Sequence, residues 1–181
     1  EEMCLCVGQA YGIPTVALRF FNVYGERQAL SNPYTGVAAI FSSRLLNDQP
    51  PLIYEDGRQS RDFTHVSDIV QATLLAMQRP EADYQVFNVG TGQSTSVAEV
   101  ASVLARSLGK RISPQIVHTF RSGDIRHCVA DITRISKTLG YRPKVAFAVG
   151  MGRLSAWIRD QRPYDRVVEA NVRLQQRGLV K

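Results

Sequence analysis

The stretch "IPTVALRFFNVYG", residues 13–25, decides the fold. Thr15 to Phe20 is a nearly continuous run of apolar and β-branched residues, which is typical of a strand buried in a parallel sheet. The run leads into Asn22 and a glycine turn, and ligands of open α/β sheets bind outside the carboxyl ends of the strands. Asn22 can donate and accept hydrogen bonds, so it is a candidate ligand contact. A plain strand-to-loop junction explains the same residues.

Helices and strands alternate along the rest of the chain. Periodic apolar positions predict helices over residues 37–46, 66–78, 96–108, 132–139 and 149–159. Short apolar runs between Pro and Gly predict strands near residues 52–54, 84–90 and 113–120. Residues 1–12 read as the second half of a helix, and residues 164–178 as a polar helix or tail. This alternation predicts α/β architecture.

The charge balance restricts the class of partner. The 181 residues include 22 Lys and Arg against 16 Asp and Glu, a net charge of +6. Such an excess suits nucleic acid, an anionic membrane surface or a small phosphorylated ligand. The arginines are interleaved with acids, which disfavours nucleic acid, and no apolar run reaches the ~18 residues of a membrane helix. Three cysteines without a secretory segment predict reduced thiols and a cytoplasmic protein, and we expect no metal site.

The segment "EDGRQSRDFTHVSD", residues 55–68, combines a glycine turn with charged residues just before a predicted helix. Arg61 can present paired donors to phosphate oxygens. His65 with Asp68, or Thr64 with the serine three residues on, suits the start of the helix, so these side chains are predicted to be structural. Asp62 either orients Arg61 or is an ordinary surface acid.

A second charged segment, "FRSGDIRHCVAD", covers residues 120–131. Arg121 and Arg126 flank a glycine turn and could hold a diphosphate, and Asp124 could accept a hydrogen bond from a sugar hydroxyl. A solvated loop is the alternative reading of the same residues.

The segment "NVGTGQSTS", residues 88–96, superficially resembles a phosphate-binding loop. It is too short for the G-x-G-x-x-G pattern, and a lone G-T-G after a strand is a weak signal. We expect Ser94 or Thr95 to cap the following helix instead.

Taken together and in this order, "LRFFNVYG", "DGRQSRDFTHVSD", "FNVGTG" and "SGDIRHCVAD" resemble the C-terminal half of the extended short-chain dehydrogenase/reductase family. The resemblance is to its NAD-dependent nucleotide-sugar epimerases and dehydratases, with UDP-glucose 4-epimerase and dTDP-sugar epimerases as the nearest types. It covers roughly residues 1–160. It implies an α/β fold that is the C-terminal part of an NAD(P)-binding Rossmann-type enzyme. Residues 1–25 would end the Rossmann-type lobe, residues 26–162 would form the substrate lobe, and residues 163–181 a polar helix or tail.

The resemblance also implies roles for individual residues. Phe20 and Phe21 would lie near the nicotinamide of NAD. The nucleotide-diphosphate sugar would be bound through contacts to the diphosphate, the phosphates, the nucleotide pocket, the pyrimidine base and the ribose. Asn22 and Arg61 would bind the diphosphate, and Arg121 and Arg126 would hold the phosphates. Gly36 and Val37 would line the nucleotide pocket. Leu52, Ile53 and Tyr54 would meet the base, and Asp124 would lie near the ribose.

Two hallmarks of the family do not occur in this sequence. It has no Gly-rich dinucleotide loop of the type G-x-x-G-x-x-G and no Tyr-x-x-x-Lys pair, so we assign no catalytic residue to it. The resemblance therefore implies a UDP- or dTDP-hexose 4-epimerase whose N-terminal lobe is missing here, with this chain inactive alone and a homodimer possible. A dehydratase or decarboxylase of the same family, or a truncated non-catalytic ligand-binding fragment, are the alternatives.

Overall fold

The computed structural model describes residues 1–30, 36–120, 123–161 and 167–180. The helices are α1 (Glu2–Tyr11), α2 (Val37–Leu46), α3 (Val66–Gln78), α4 (Val97–Leu108), α5 (Thr133–Leu139), α6 (Phe147–Ile158) and α7 (Val167–Gln176). The strands are β1 (Ala17–Phe20), β2 (Asn22–Tyr24), β3 (Leu52–Ile53), β4 (Ser60–Arg61), β5 (Phe63–His65), β6 (Val86–Val89), β7 (Thr95–Ser96), β8 (Gln115–Ile116) and β9 (His127–Cys128). No helix in these ranges is long and apolar enough to cross a bilayer.

The decisive stretch forms two short strands that each pair in parallel with a distant strand. β1 pairs with β6, with Ala17 opposite Val86 and Phe20 opposite Val89. β2 pairs with β5. Parallel pairing requires a crossover, and α3 lies in the connection between the two pairs. The α/β prediction with parallel strands is therefore confirmed.

Parallel strands are usually buried on both faces, but a strand without neighbours on one side is expected to stay partly exposed, and the structure confirms this for β1. The strand starts at Ala17, Val16 and Leu18 are only half-buried, and the Phe20 side chain is 49% exposed. Within the described residues, β6 is the neighbour of β1 and its other edge has no partner strand. An apolar sequence shows that a strand is suited to burial, but how far its side chains are buried depends on the elements that lie beside it.

The predicted helices agree closely with the observed ones because their end signals are local. The bounds of α2 and α3 match the predicted residues 37–46 and 66–78. α4 begins one residue late, since Ser96 itself is the N-cap and its Oγ accepts from the Glu99 N–H at 3.1 Å. The expected caps Ser94 and Thr95 are thus wrong. α5 also begins one residue late, and α6 begins two residues before the predicted start and ends one before the predicted end.

Two hydrophobic cores hold the elements together. One joins α2, α4 and α6 around Phe41, Leu104 and Leu154. The other joins β1, α3, β6 and α5 around Phe87 and Leu139. The candidate residues of the segments 52–61 and 123–126 lie on β3 and β4 and in the loops beside β3, β4 and β9, and the other candidates lie at the ends of β1, β2 and α2. The domain boundaries at residues 25 and 162 stay a prediction.

Candidate functional site

β4 brings two of the sequence-predicted segments together. It pairs in parallel with β9 and antiparallel with β7, so that Arg61 lies opposite both Cys128 and Thr95. The Arg61 side chain is only 15% exposed, and its Nη2 donates to Asp124 Oδ1 at 2.7 Å. Its Nη1 donates to the carbonyl oxygens of Ser60 and Arg126. The guanidinium is therefore fixed in place beside the Asp124 carboxylate.

Arg126 contacts the turn between β3 and β4. Its Nη1 donates to Glu55 Oε2 and its Nη2 to Asp56 Oδ2. The hydrogen bond from Arg126, supported by the N–H of Arg58, lowers the pKa of Asp56 to about 2. Arg126 thus ties the loop after β8 to the 55–57 turn. Arg121 lies outside the described residues, so its predicted phosphate contact stays a prediction.

Of the residues predicted to meet a pyrimidine base, Leu52 and Ile53 form β3 and Tyr54 follows it. β3 pairs in parallel with β8, and the N–H groups of Gln115 and Val117 donate to the carbonyl oxygens of Pro51 and Ile53. Since neighbouring residues of a strand turn their backbone groups to opposite edges, the N–H and C=O of Leu52 point away from β8.

Sequence reasoning missed two contributions to this edge. The buried Gln59 donates from Nε2 to the Tyr54 carbonyl at 2.8 Å and so fixes the end of the edge. Leu52 and Tyr54 also line a cavity of about 180 Å³ that is completed by β8-side residues and by Gln175 and Val180 of the C-terminal segment. The sequence predicted a polar helix or a tail for that segment, and α7 confirms the helix, but no sequence signal predicted its place here.

Asp62 is neither a surface acid nor a partner of Arg61. It is fully buried, and its carboxylate accepts hydrogen bonds from the N–H of Thr91, the N–H of Gly92 and the Thr91 hydroxyl. Asp is rarely buried without such partners, which is why sequence alone suggested the surface. The amides of the G-T-G turn are directed at this carboxylate, which agrees with the expectation that the turn is not a phosphate-binding loop.

His65 and Asp68 are both structural as predicted, but only the His65 side chain caps the helix. His65 is the N-cap of α3, and its Nδ1 accepts from the N–H of Ser67. The Asp68 carboxylate accepts from the N–H groups of Lys144 and Val145 and so fixes the segment before α6. The alternative cap, Thr64, is wrong because its hydroxyl faces Asp62 Oδ1.

The remaining predicted positions lie at element ends. Asn22 begins β2, is half-buried, and donates from its backbone N–H to the Asp62 carbonyl. Gly36 is the N-cap position of α2, and Val37 is its first residue.

Comparison with known proteins identifies the family. Residues 1–90 match the model of the NAD dependent epimerase/dehydratase family. The chain belongs to this family. A dTDP-L-rhamnose 4-epimerase of Burkholderia thailandensis is 36% identical over 149 residues, which are 82% of this chain and 40% of the relative. A UDP-N-acetyl-alpha-D-glucosaminuronate decarboxylase of Bacillus cytotoxicus is 33% identical over 165 residues, 88% of this chain and 51% of the relative.

A solved structure of the family also matches in fold. The UDP-glucose 4-epimerase of Thermotoga maritima, solved with UDP-glucose, has a TM-score of 0.79 and 37% identity over 87% of this chain and 50% of that protein. This epimerase/dehydratase chain therefore spans about half the length of the relatives it matches.

NAD is the cofactor of this family. Phe20 is a large, half-exposed aromatic side chain at the carboxyl end of β1, and Phe21 follows it, with its N–H bound to the Val89 carbonyl. An exposed aromatic side chain at the carboxyl ends of two parallel strands suits one wall of a nicotinamide site. These residues therefore fit part of an NAD site.

Proposed function

We propose that this chain is the substrate-binding half of an NAD-dependent nucleotide-sugar 4-epimerase that acts on a UDP- or dTDP-hexose. The observation that carries the proposal is the ion pair of Arg61 and Asp124, whose loop is joined by Arg126 to the 55–57 turn that follows β3. A guanidinium, a carboxylate and a backbone edge suit the three parts of a nucleoside diphosphate: phosphate, ribose and base.

Arg61 is suited to the diphosphate. A largely buried guanidinium forms stronger charge-assisted hydrogen bonds than an exposed one, because water competes less. Asp124, whose side chain is 42% exposed, accepts from Arg61 in this structure. We propose that the diphosphate takes over part of this contact and that Asp124 turns to a ribose hydroxyl.

The edge of β3 is suited to the base. A pyrimidine with an imide group offers one N–H donor between two carbonyl acceptors, and a backbone edge offers both kinds of partner. Leu52 presents its N–H and C=O on this edge, and Gln59 holds the neighbouring Tyr54 carbonyl in place. Backbone contacts of this kind support a pyrimidine nucleotide without distinguishing UDP from dTDP.

NAD, when bound, supplies hydride transfer at C4 of the sugar. The residues of this chain would bind the nucleotide and orient the sugar beside Phe20 and Phe21. The dinucleotide loop and the Tyr-x-x-x-Lys pair would come from polypeptide outside these 181 residues, since the chain spans about half of its relatives. The chain by itself would then show no turnover. The free cysteines Cys4, Cys6 and Cys128 are in keeping with a cytoplasmic enzyme.

The second candidate is a nucleotide-sugar dehydratase or decarboxylase, and the similarity to the Bacillus cytotoxicus decarboxylase favours it. The two reactions need the same nucleotide contacts. Incubation of the full-length protein with NAD and UDP- or dTDP-hexoses separates epimerase from dehydratase, and incubation with UDP-hexuronates tests the decarboxylase. Dehydration lowers the mass of the sugar by one water and decarboxylation by one CO₂, whereas epimerisation leaves the mass unchanged.

The nucleotide contact itself is tested by Arg61→Ala in the full-length protein. Removing one partner of a buried charged hydrogen bond typically costs about 2–5 kcal/mol, so we expect UDP or dTDP binding to weaken at least tenfold in calorimetry. Arg159→Ala is the matched control, because Arg159 follows α6 and donates to the carbonyl of Ser107 on α4, neither of which carries a candidate ligand contact. Equal affinities of the Arg61 variant and the unaltered protein would remove Arg61 from the site.

A further inference from the structure

Asp62 is a buried acid that the proposed chemistry does not use. Its Oδ1 accepts from the Thr91 hydroxyl at 2.6 Å and the Thr91 N–H at 2.8 Å. Its Oδ2 accepts from the N–H groups of Gly92 at 2.8 Å and Ala130 at 3.3 Å. The carboxylate thus joins the turn after β6 to the residues that follow β9.

The backbone of Asp62 joins two further segments. Its N–H donates to the Cys128 carbonyl on β9, and its C=O accepts from the N–H of Asn22 on β2, each at 3.0 Å. Asp62 also follows Arg61 directly. One residue therefore contacts or adjoins the segments that carry Asn22 and Arg61 and the strand that follows Asp124.

The Asp62 carboxylate is packed tightly against the backbone of Gly90. A Cβ atom added to Gly90 would lie 2.5 Å from Asp62 Oδ2 and 2.3 Å from the Cβ of Ala130. Both distances are far below van der Waals contact. The glycine before Thr91 is therefore needed for the approach of the turn to Asp62.

We propose that Asp62 is the positioning residue of the diphosphate site, an inference that rests on the proposed function. It does not reach the ligand. It sets the relative places of Arg61, Asn22 and the Asp124 loop by holding β2, β4, β9 and the 90–92 turn together. The hydrogen bonds converge on two oxygen atoms whose acceptor capacity an amide cannot reproduce.

Asp62→Asn tests the proposal, with Asp68→Asn as the matched control. Asn replaces one acceptor oxygen with an NH₂ group, which then faces N–H donors. Asp68 is a buried acid as well, and it also accepts from two backbone N–H groups, yet it holds the segment before α6 and no candidate ligand contact. Both variants should lose stability. A difference between them in ligand binding therefore reflects the placement of the ligand-contacting residues and not a general loss of folding.

In the full-length protein, calorimetry with UDP should show at least tenfold weaker binding to the Asp62→Asn variant and at most twofold weaker binding to the Asp68→Asn variant. In turnover assays, KM should rise with little change in kcat, because Asp62 acts on the diphosphate contacts and not on the sugar C4. Equal losses of affinity in both variants, or none in the Asp62 variant, would overturn the proposal.

Amide hydrogen exchange of the unliganded protein gives a second test that does not need a ligand. The Asp62→Asn variant should exchange faster over residues 90–92 and 123–130, and the Asp68→Asn variant should not. Unchanged exchange over residues 123–130 would overturn the positioning role. If UDP fails to bind the unaltered protein, the proposed function is wrong, and the exchange result alone decides whether Asp62 positions this loop.

Discussion

At the scale of single residues, the site is organised by arginines that already have carboxylate partners. Arg61 pairs with Asp124, and Arg126 pairs with Glu55 and Asp56. Arg126 is 46% exposed, so its ion pairs contribute little to stability. Their effect is geometric, since each fixes the direction of a guanidinium. A phosphate ligand must then exchange with a carboxylate, which couples ligand binding to the titration of the acid.

The titration of Asp56 is therefore a direct probe of Arg126. Its pKa falls from 3.8 to about 2 through the hydrogen bond from Arg126. A lowered pKa means that the stabilising contribution is present above about pH 4 and is lost as the pH falls through 2. We expect a carboxyl carbon NMR titration with a midpoint near 2, which returns towards 3.8 in Arg126→Gln.

Saturating UDP supplies the second half of this experiment. If Arg126 binds phosphate as predicted, UDP should raise the pKa of Asp56, because the guanidinium leaves the carboxylate. An unchanged midpoint in the presence of bound UDP would show that Arg126 serves the 55–57 turn and not the ligand.

At the scale of elements, α6 packs at very short range against β2, near the end of the stretch 13–25. Gly150 lies against Tyr24, and a Cβ at this position would stand 2.2 Å from the Tyr24 hydroxyl oxygen. The Tyr24 hydroxyl donates to the Phe147 carbonyl at 3.3 Å, and burial raises the pKa of this phenol. The close approach of α6 to β2 thus depends on the absence of a side chain at residue 150.

Two glycines of α6 allow a matched test of this packing. Gly150→Ala should destabilise the protein by about 1–3 kcal/mol, because overpacking outweighs the gain in helix propensity. Gly152→Ala should stabilise it by about 0.5–1 kcal/mol, since no atom lies within 4 Å of its added Cβ. Urea unfolding of both variants measures the difference. A stabilised Gly150→Ala variant would show that α6 can move away from Tyr24.

At the scale of the whole molecule, one side of the described chain is unusually apolar. Val70, Leu74 and Met77 recur on one face of α3 and are 51%, 48% and 77% exposed. Beside them lies a groove of about 370 Å³ that Val16 and Leu18 help to line. Contiguous apolar surface of this kind marks an interface, and in the described residues the outer edge of β1 adds unpaired backbone groups to it.

We therefore expect the purified 181-residue chain to self-associate. Each large apolar side chain removed from water contributes about 1.5–3 kcal/mol, a large share of the ~5–15 kcal/mol that stabilises a domain. Sedimentation at micromolar concentration measures the association, and the double variant Leu74→Lys, Met77→Lys is the control that should reduce it. A compact monomer that unfolds cooperatively and binds no hydrophobic dye would contradict this expectation.

The sequence by itself determined the parts of this protein that depend on neighbouring residues. The bounds of α2 and α3 follow from apolar periodicity and from local turn signals. The α/β class follows from the alternation of elements, and the family follows from four motifs in a fixed order. Arg61 could be singled out because its type and its place after a glycine turn suit phosphate.

The tertiary structure alone decided which partner each charged residue takes. Asp62 meets a turn about 30 residues further along the chain, and Arg126 meets acids about 70 residues before it. Gln59 binds the Tyr54 carbonyl beside β3, and Val180 of the C-terminal segment lines a cavity with Leu52. No sequence motif predicts either contact. The physical reason is that hydrogen bonds and ion pairs form between atoms within about 3 Å, and sequence fixes such distances only along one element. Across elements, the packing of β4 between β7 and β9 fixes them.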